Sequence, residues 1–383
     1  VGREQLIGHL NSMTELEYEL RFTTPAFLGN AEQNGQWRTP PIKALLRQWW
    51  RVLQGASAGQ EDWKTIREIE GRLFGNAWLN RGDEPQHCKS PIRIRLEPDW
   101  AGGTLGVSSW PTDFERVPTT RTGGSLPADL YLGYGPVVRE RGSLKIRTAI
   151  NPSQNMRLRL LLPPDRSNEI LKTLTLIHWF GSVGSRARNG WGSIRLAPQG
   201  ATPHLPSLRR DEPLLAKVLR NWQECHVLDW PHAIGSDEKG PLVWCIEDCD
   251  DWRQAIGALA NVRVAVRRAA KAIRNRHGRA AALHYLGYPA GTGRQNPWAL
   301  EVRGERDKLR LASPLRFKVV PSGDGKVRGQ VFHVPCAIPK AFLDELRNAS
   351  DKDWLADREN LRRAWQEIHS TLDNDSRLRR LGN

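Results

Sequence analysis

The 383-residue chain has no run of 18 or more apolar residues, so no membrane-spanning helix is expected. It opens Val1-Gly-Arg-Glu, without the apolar stretch of a secretory signal. Its five cysteines are an odd number and thinly spread, which argues against a disulfide framework and for reduced thiols in a cytoplasmic protein. Acidic residues are in deficit. Against 57 Lys+Arg stand 42 Asp+Glu, a formal net charge of +15, with a sequence pI near 10.0. Such a balance is the electrostatic footprint of a nucleic-acid binder. The excess is mostly arginine, whose planar fork suits bidentate phosphate contacts and stacking on bases. Charge alone describes a merely basic protein equally well.

Glycine is concentrated in one stretch, Phe180-Gly-Ser-Val-Gly-Ser-Arg-Ala-Arg-Asn-Gly-Trp-Gly-Ser193. Residues without side chains let backbone N–H groups approach a ligand closely, and Arg186 and Arg188 add donors for phosphate. The stretch follows an apolar helical run ending Ile177-His-Trp-Phe180 and precedes strand-like Ile194-Arg-Leu196. It lacks the Gly-Lys-Ser/Thr of a P-loop, and its helix–loop–strand order is the reverse of a Rossmann turn. The bland alternative is a glycine-rich connector. Read as a ligand loop, Gly184, Ser185, Arg186, Arg188, Asn189, Gly190, Trp191 and Gly192 lie against phosphate, and the loop is loose until a ligand orders it. Trp191 turns either outward to stack or inward to anchor, with anchoring preferred.

Periodicity organises the rest. Leu16-Glu-Tyr-Glu-Leu-Arg-Phe22 alternates as a strand. Thr39-Pro-Pro opens a helix running to about Leu53 and stopping at Gly55, with Ile42, Leu45, Leu46, Trp49, Val52 and Leu53 on one face. A second helix spans about Asp62–Phe74, closed by Gly75. Ile92–Leu96, Leu144–Thr148 and Met156–Leu160 alternate apolar with basic residues, which predicts an antiparallel sheet with helices on one face and arginines exposed on the other. The Gly/Pro/Ser/Thr-rich segment Trp100–Pro136 reads as an insertion. Beyond a proline-rich boundary near 198–213 come a strand at Leu242–Ile246, a helix from Asp251 to about Arg276, a hairpin turning at Pro321–Gly325 and closing helices. The pattern is α+β, with modules over 1–200 and 201–383 but no visible sequence repeat.

Several constellations have competing readings. Lys43, Arg47 and Arg51 recur at i, i+4, i+8 on the first helix, with Arg38 upstream and Trp50 beside them. They read as a phosphate grip with a stacking indole or as a solvated face. Of the 16 tryptophans, Trp50 and Trp191 are those assigned to a ligand surface. Glu70 falls on an apolar face and is expected to pair with Arg47 or Arg51. Arg267 and Lys271 lie in the basic half of the Asp251 helix, where the helix dipole suits cations anyway. Cys225, His226, His232, Cys245 and Cys249 lack paired zinc spacing, and buried thiols explain them better. No cofactor or metal is expected.

Thr24-Pro-Ala-Phe-Leu-Gly29, Arg38–Arg51, Glu70-Gly-Arg-Leu-Phe-Gly75, the loop Gly181–Gly192 and Arg310-Leu-Ala-Ser-Pro314 together resemble the RAMP (repeat-associated mysterious protein) superfamily of CRISPR effector subunits. Within it, they resemble the first-subunit family of type III-B Cmr complexes. The resemblance implies two ferredoxin-like (RRM-related) modules and a place in an antiviral ribonucleoprotein beside another RAMP subunit, at the end near the 3′ end of the guide RNA. It implies guide and/or target RNA as partners, no membrane, and Arg310 as an RNA contact. It also implies no catalysis, since family cleavage belongs to a different subunit whose aspartate motif is not found here. The alternative within the superfamily is a CRISPR RNA-processing endoribonuclease, which needs a general base such as His9, His178, His204 or His232.

Overall fold

In a computed structural model of the chain, residues 13–59, 61–77, 87–99, 103–119, 124–275, 277, 281–290, 299–304 and 309–382 are described. The first module opens with β1 (Thr14–Phe22), α1 (Thr39–Gly55), α2 (Trp63–Phe74) and β2 (Arg93–Asp99). A chain of small elements follows: β3 (Thr104–Leu105), β4 (Arg116–Pro118), β5 (Ser125–Pro127), α3 (Ala128–Gly133), β6 (Val137–Glu140), β7 (Ser143–Ile146) and β8 (Ala149–Ile150). The module closes with β9 (Asn155–Leu162), α4 (Ser167–Phe180) and β10 (Ile194–Pro198). Next come α5 (Pro213–Val218) and a three-stranded sheet of β11 (Leu219–Asn221), β12 (Ile234–Asp237) and β13 (Gly240–Pro241). The second module holds β14 (Val243–Ile246), α6 (Trp252–Ala272), β15 (Leu315–Gly323), β16 (Lys326–His333), α7 (Lys340–Asp344), α8 (Ala349–Ala356), α9 (Arg358–Asp373) and β17 (Leu378–Arg380). Among the described residues no helix is long and apolar enough to cross a membrane.

Both four-stranded sheets have one strand order. The first runs β10-β1-β9-β2 and the second β15-β16-β14-β17. In each, the strands taken in chain order lie fourth, first, third, second, every neighbouring pair is antiparallel, and helices fill the first and last connections. That is the ferredoxin-like βαββαβ arrangement, used twice. The α+β class, the strands at Leu16–Phe22 and Met156–Leu160 and the α2 boundary at Gly75 (φ 77°) agree with the sequence reading. The hairpin between β15 and β16 turns at Asp324-Gly325, both at positive φ, as a tight antiparallel turn requires.

Three expectations are corrected. The strand around Leu144 does not join the first sheet; β7 pairs only with β6 in a separate hairpin. The Asp251 helix ends at Ala272, so Lys271 is in its last turn and Arg276 lies outside the described residues. The open face of the first sheet is no free arginine surface. Glu15, Glu17 and Glu19 of β1 and Glu97 of β2 interleave with it: Arg159 pairs with Glu17 (2.9 Å), Glu15 (3.5 Å) and Glu97 (3.6 Å), and Arg157 pairs with Glu17 (3.2 Å). The inner face carries Leu16, Tyr18, Leu20, Leu158 and Leu160 against α1 and α4.

The insertion after β2 is folded where it is described. Trp110, Phe114, Val117, Leu130 and Leu132 join the core built on α6 of the second module. Trp110 donates to the buried Asp129 carboxylate (2.9 Å). The insertion leaves the first module in sequence and packs against the second in space. Residues 100–102 and 120–123 of the expected 100–136 segment lie outside the described residues.

Candidate nucleic-acid interface

The glycine-rich stretch connects α4 to β10, and its glycines make room for the protein's own backbone. A Cβ on Gly192 (φ 61°) would lie 2.0 Å from the Val183 carbonyl oxygen, and one on Gly184 (φ 96°) 2.7 Å from that of Phe27. Ser185 N donates to Phe27 O (2.9 Å) and Gly192 N to Pro25 O (3.0 Å). Thr24 Oγ1 donates to Gly190 O (2.7 Å). The Thr24–Gly29 motif and the loop are thus two halves of one structure.

The second module grips the far side. Phe317 N donates to Arg188 O (3.0 Å), Val319 N to Ser193 Oγ (3.0 Å), and Asn189 Nδ2 to Leu132 O of the insertion (2.8 Å). The loop is therefore tied at both margins, where four glycines had suggested a loose segment. Asn189, Gly190, Trp191 and Gly192 are buried. Trp191 is fully enclosed by Phe27, Trp110 and Trp252, which is the anchoring orientation. A direct base contact by this indole, and phosphate contacts at Gly190 and Gly192, are corrected. Ser185, Arg186 and Arg188 remain exposed at the tip.

That tip lies in a cleft of 1580 Å³ between the modules, with α1, the insertion, α6 and the segments around 286–290 and 310–313 as walls. Among its described lining residues seven are arginines (Arg147, Arg186, Arg188, Arg263, Arg267, Arg310 and Arg316) and none is acidic. Neutral partners hold four of them. Arg147 donates to Gln33 (3.0 Å), Arg263 to Asn189 Oδ1 (3.0 Å), Arg267 to Ala290 O and Arg310 to the adjacent Leu309 O (2.8 Å). Arg186, Arg188 and Arg316 make no side-chain hydrogen bond or ion pair to the described residues. Mutual crowding shows in the acidities. Desolvation and then Arg310 push Arg186 down. Desolvation lowers Arg263 to about 10, with Arg267 and Arg186 adding to it. Desolvation and then Arg188 bring Arg316 to about 9. The groove stores unneutralised positive charge, which an anion would relieve. Tyr134, 47% exposed, stands beside Arg186 on the rim.

The other sequence candidates lie elsewhere. The cleft takes Pro41, Ala44, Leu45, Gln48 and Trp49 from α1; Lys43, Arg47 and Arg51 do not line it, and Arg47 and Arg51 turn toward α2. Arg51 makes a two-pronged pair with Glu70 (2.5 and 2.7 Å), and Arg47 donates to Phe74 O (3.0 Å) and Gly75 O. Glu70 is buried and paired as expected. Trp50 is a correction. It is completely buried and donates to Glu169 (2.7 Å), so no base can stack on it. The residue packs beside Phe74 because α1 buries a wider stripe than one apolar face predicts. Arg38 is exposed at the start of α1, and neither it nor Lys271 lines the cleft.

Of the four histidines weighed as bases, His9 lies outside the described residues. His178 Nδ1 accepts from Leu196 N (3.2 Å), His232 is buried beside Trp230 O, and His204 is exposed away from the groove. Burial pushes the Cys225 thiol up to about 12. Among the described residues no group of three or more His, Cys, Asp and Glu could hold a metal ion. Sequence reasoning missed Arg147, Arg316 and Tyr134 as cleft residues. Arg316 had no distinguishing signal, because Leu315-Arg-Phe-Lys-Val319 alternates like a strand with one open face.

Residues 19–195 match the family described as the RAMP superfamily. The first module, with its glycine-rich loop, is a RAMP-superfamily module. Within that superfamily the chain resembles the Cmr1 subunit of type III-B CRISPR systems. It is 26% identical over 167 residues to the CRISPR system Cmr subunit Cmr1-1 of Pyrococcus furiosus, a match that spans 42% of this chain and only 40% of that relative. Among solved structures it is similar to Cmr1 from Pyrococcus furiosus in its apo form (20% identity, 90% of this chain and 96% of that one, TM-score 0.45). A chain of the type III-B Cmr-beta complex bound to cognate target RNA is also similar (11% identity, 93% and 100%, TM-score 0.44).

Proposed function

We propose that the chain is a non-catalytic, RNA-binding subunit of a type III-B CRISPR effector complex, seated near the 3′ end of the guide RNA beside another RAMP subunit. Its intermodular cleft holds a guide or target strand. The observation that carries this reading is the cleft wall, whose described residues include seven arginines and no carboxylate. Single-stranded RNA supplies phosphates along such a groove and bases for an exposed ring such as Tyr134. Sequence would be read by base pairing, and this protein would read backbone and shape, as in other RNA-guided systems. The absence of any histidine among the described cleft residues supports the non-catalytic part.

The test is binding of labelled single-stranded RNA to the purified chain across a salt series. Arg186→Glu with Arg310→Glu should weaken binding, and the salt slope should fall by about 0.7 for each phosphate that the variant no longer neutralises. An unchanged affinity and slope in a folded variant would overturn the cleft assignment. Repeat RNA incubated with the chain without metal should stay intact, and cleavage would overturn the non-catalytic part.

A further inference from the structure

The described residues contain three buried Lys or Arg side chains, Arg316, Lys318 and Arg380, and all three lie in the second sheet. Two are satisfied. Lys318 Nζ donates to Ile177 O (3.1 Å) and His178 O (2.6 Å) at the C-terminus of α4, where carbonyls carry partial negative charge. Arg380 donates to Pro241 O (2.9 Å), Gly240 O (2.9 Å) and Asp237 (2.5 Å), and it pairs with Asp373 (3.3 Å). Arg316, two residues before Lys318 on the same face of β15, is only 7% exposed and has no such partner among the described residues. Its Nε is buried without a hydrogen bond. Its guanidinium lies over the Trp49 ring (5.9 Å), a contact that orients it without neutralising it. Arg188, the neighbouring charge, is a second guanidinium without a carboxylate.

We infer that Arg316 and Arg188 form a subsite for the terminal phosphate of an RNA strand whose body follows the cleft. This rests on the RNA-binding reading and adds to it a preference for strand ends. The first argument is steric. Around Arg316 the cleft is backed by Trp49, Phe180 and Phe332, each no more than 2% exposed. An internal phosphodiester would need chain to enter and leave past those rings, whereas a terminal phosphate points in from one side. The second argument is charge. A phosphodiester brings one negative charge, and a phosphate monoester about −1.5 to −2 at neutral pH with three acceptor oxygens. Two adjacent unneutralised guanidiniums match the latter.

The test uses the full chain and one short oligoribonucleotide in three forms: 5′-phosphorylated, 3′-phosphorylated, and with hydroxyls at both ends. One phosphorylated form should bind roughly tenfold tighter than the hydroxyl form, the worth of an added charge-assisted contact, and which one identifies the end. Arg316→Gln should abolish that preference, lowering the affinity for the favoured phosphorylated form more than that for the hydroxyl form. Equal affinity of all three RNAs for the unaltered chain would overturn the subsite while leaving RNA binding standing. A preference that persists in a folded Arg316→Gln variant would overturn the role of Arg316. Failure of all three RNAs to bind would overturn the RNA-binding reading, and the subsite with it.

Discussion

The two four-stranded sheets share a strand order and differ in what covers them. The first is buried on one face, and its strands alternate cleanly: Leu16, Tyr18, Leu20 and Phe22 inward, Glu15, Glu17, Glu19 and Arg21 outward. The second is buried on both. Leu315, Phe317, Val319, Val331 and Trp244 pack toward α6 and α9, while Val243 and Phe332 pack on the first module's α1 and α4. Charges on the open sheet pair with one another in water. Charges on the doubly covered sheet must find partners inside the protein, and Lys318 and Arg380 do. The stretch between the last helix and the last strand differs as well. In the first module it is the glycine-rich loop 181–193; in the second it is the short turn 374–377. One module supplies the loop and the other the strand on which it docks. The cleft exists because they are joined that way.

Acid should separate the modules most strongly. His226, His232, His284, His333 and His369 are buried in the second half of the chain, whereas among the described residues the first module has only His178 lowered in this way, to about 4 by desolvation. Desolvation lowers His226 and His284 to about 4, His369 to about 3 and His333 well below its ordinary value. A folded pKa below the unfolded one means the unfolded chain takes up protons that the folded one refuses. The stability is therefore intact above the ordinary value of 6.5 and lost as pH falls toward 4. His226, His284 and His369 should each cost about 2 kcal/mol between pH 7.5 and pH 5, and His333 acts in the same direction. Hydrogen exchange at pH 5 should accelerate across 222–246 and 361–372 before it does in β1 and β9. Uniform or unchanged exchange would remove this distinction.

A smaller effect tests the joint. Lys318→Met keeps the volume and removes the donor to the carbonyls of Ile177 and His178. Ile177 O keeps its bond from Gly181 N (2.7 Å), and the His178 carbonyl left unpaired should cost about 1–3 kcal/mol in a urea titration. An unchanged or raised midpoint would mean that burying the ammonium costs as much as its bonds return.

How much of this was legible in the sequence follows the same division. Period-two alternation revealed β1 and β9 because one face of their sheet meets water. β15 and β16 are buried on both faces at their paired ends, so the buried Arg316 and Lys318 looked like ordinary strand cations. Glu70 was legible as a buried ion-paired acid, since a carboxylate at a core position of α2 had two arginines within reach on α1. The same pairing took Arg47 and Arg51 out of the stripe assigned to RNA. The glycine cluster marked the right segment for the wrong reason: Gly184 and Gly192 admit the carbonyls of Phe27 and Val183. Arg147, Arg186, Arg263 and Arg310 are far apart in the chain, and only the docking of the modules brings them to one groove.

The smallest expected effect concerns the open face of the first sheet. Ferredoxin-like modules of the RRM type present this face to RNA, and its arginines made it a natural candidate. Here Arg157 and Arg159 are engaged by Glu15, Glu17 and Glu97 at 2.9–3.6 Å, on a surface where acids and bases alternate. Such solvent-screened pairs add little to stability, and a phosphate arriving there would meet carboxylates. Arg157→Ala with Arg159→Ala should therefore leave RNA affinity and its salt slope unchanged and barely move the urea midpoint. If instead the double variant binds RNA as poorly as Arg186→Glu with Arg310→Glu, the strand runs over the open sheet, and the contrast between a self-neutralised face and a charged cleft does not locate the site.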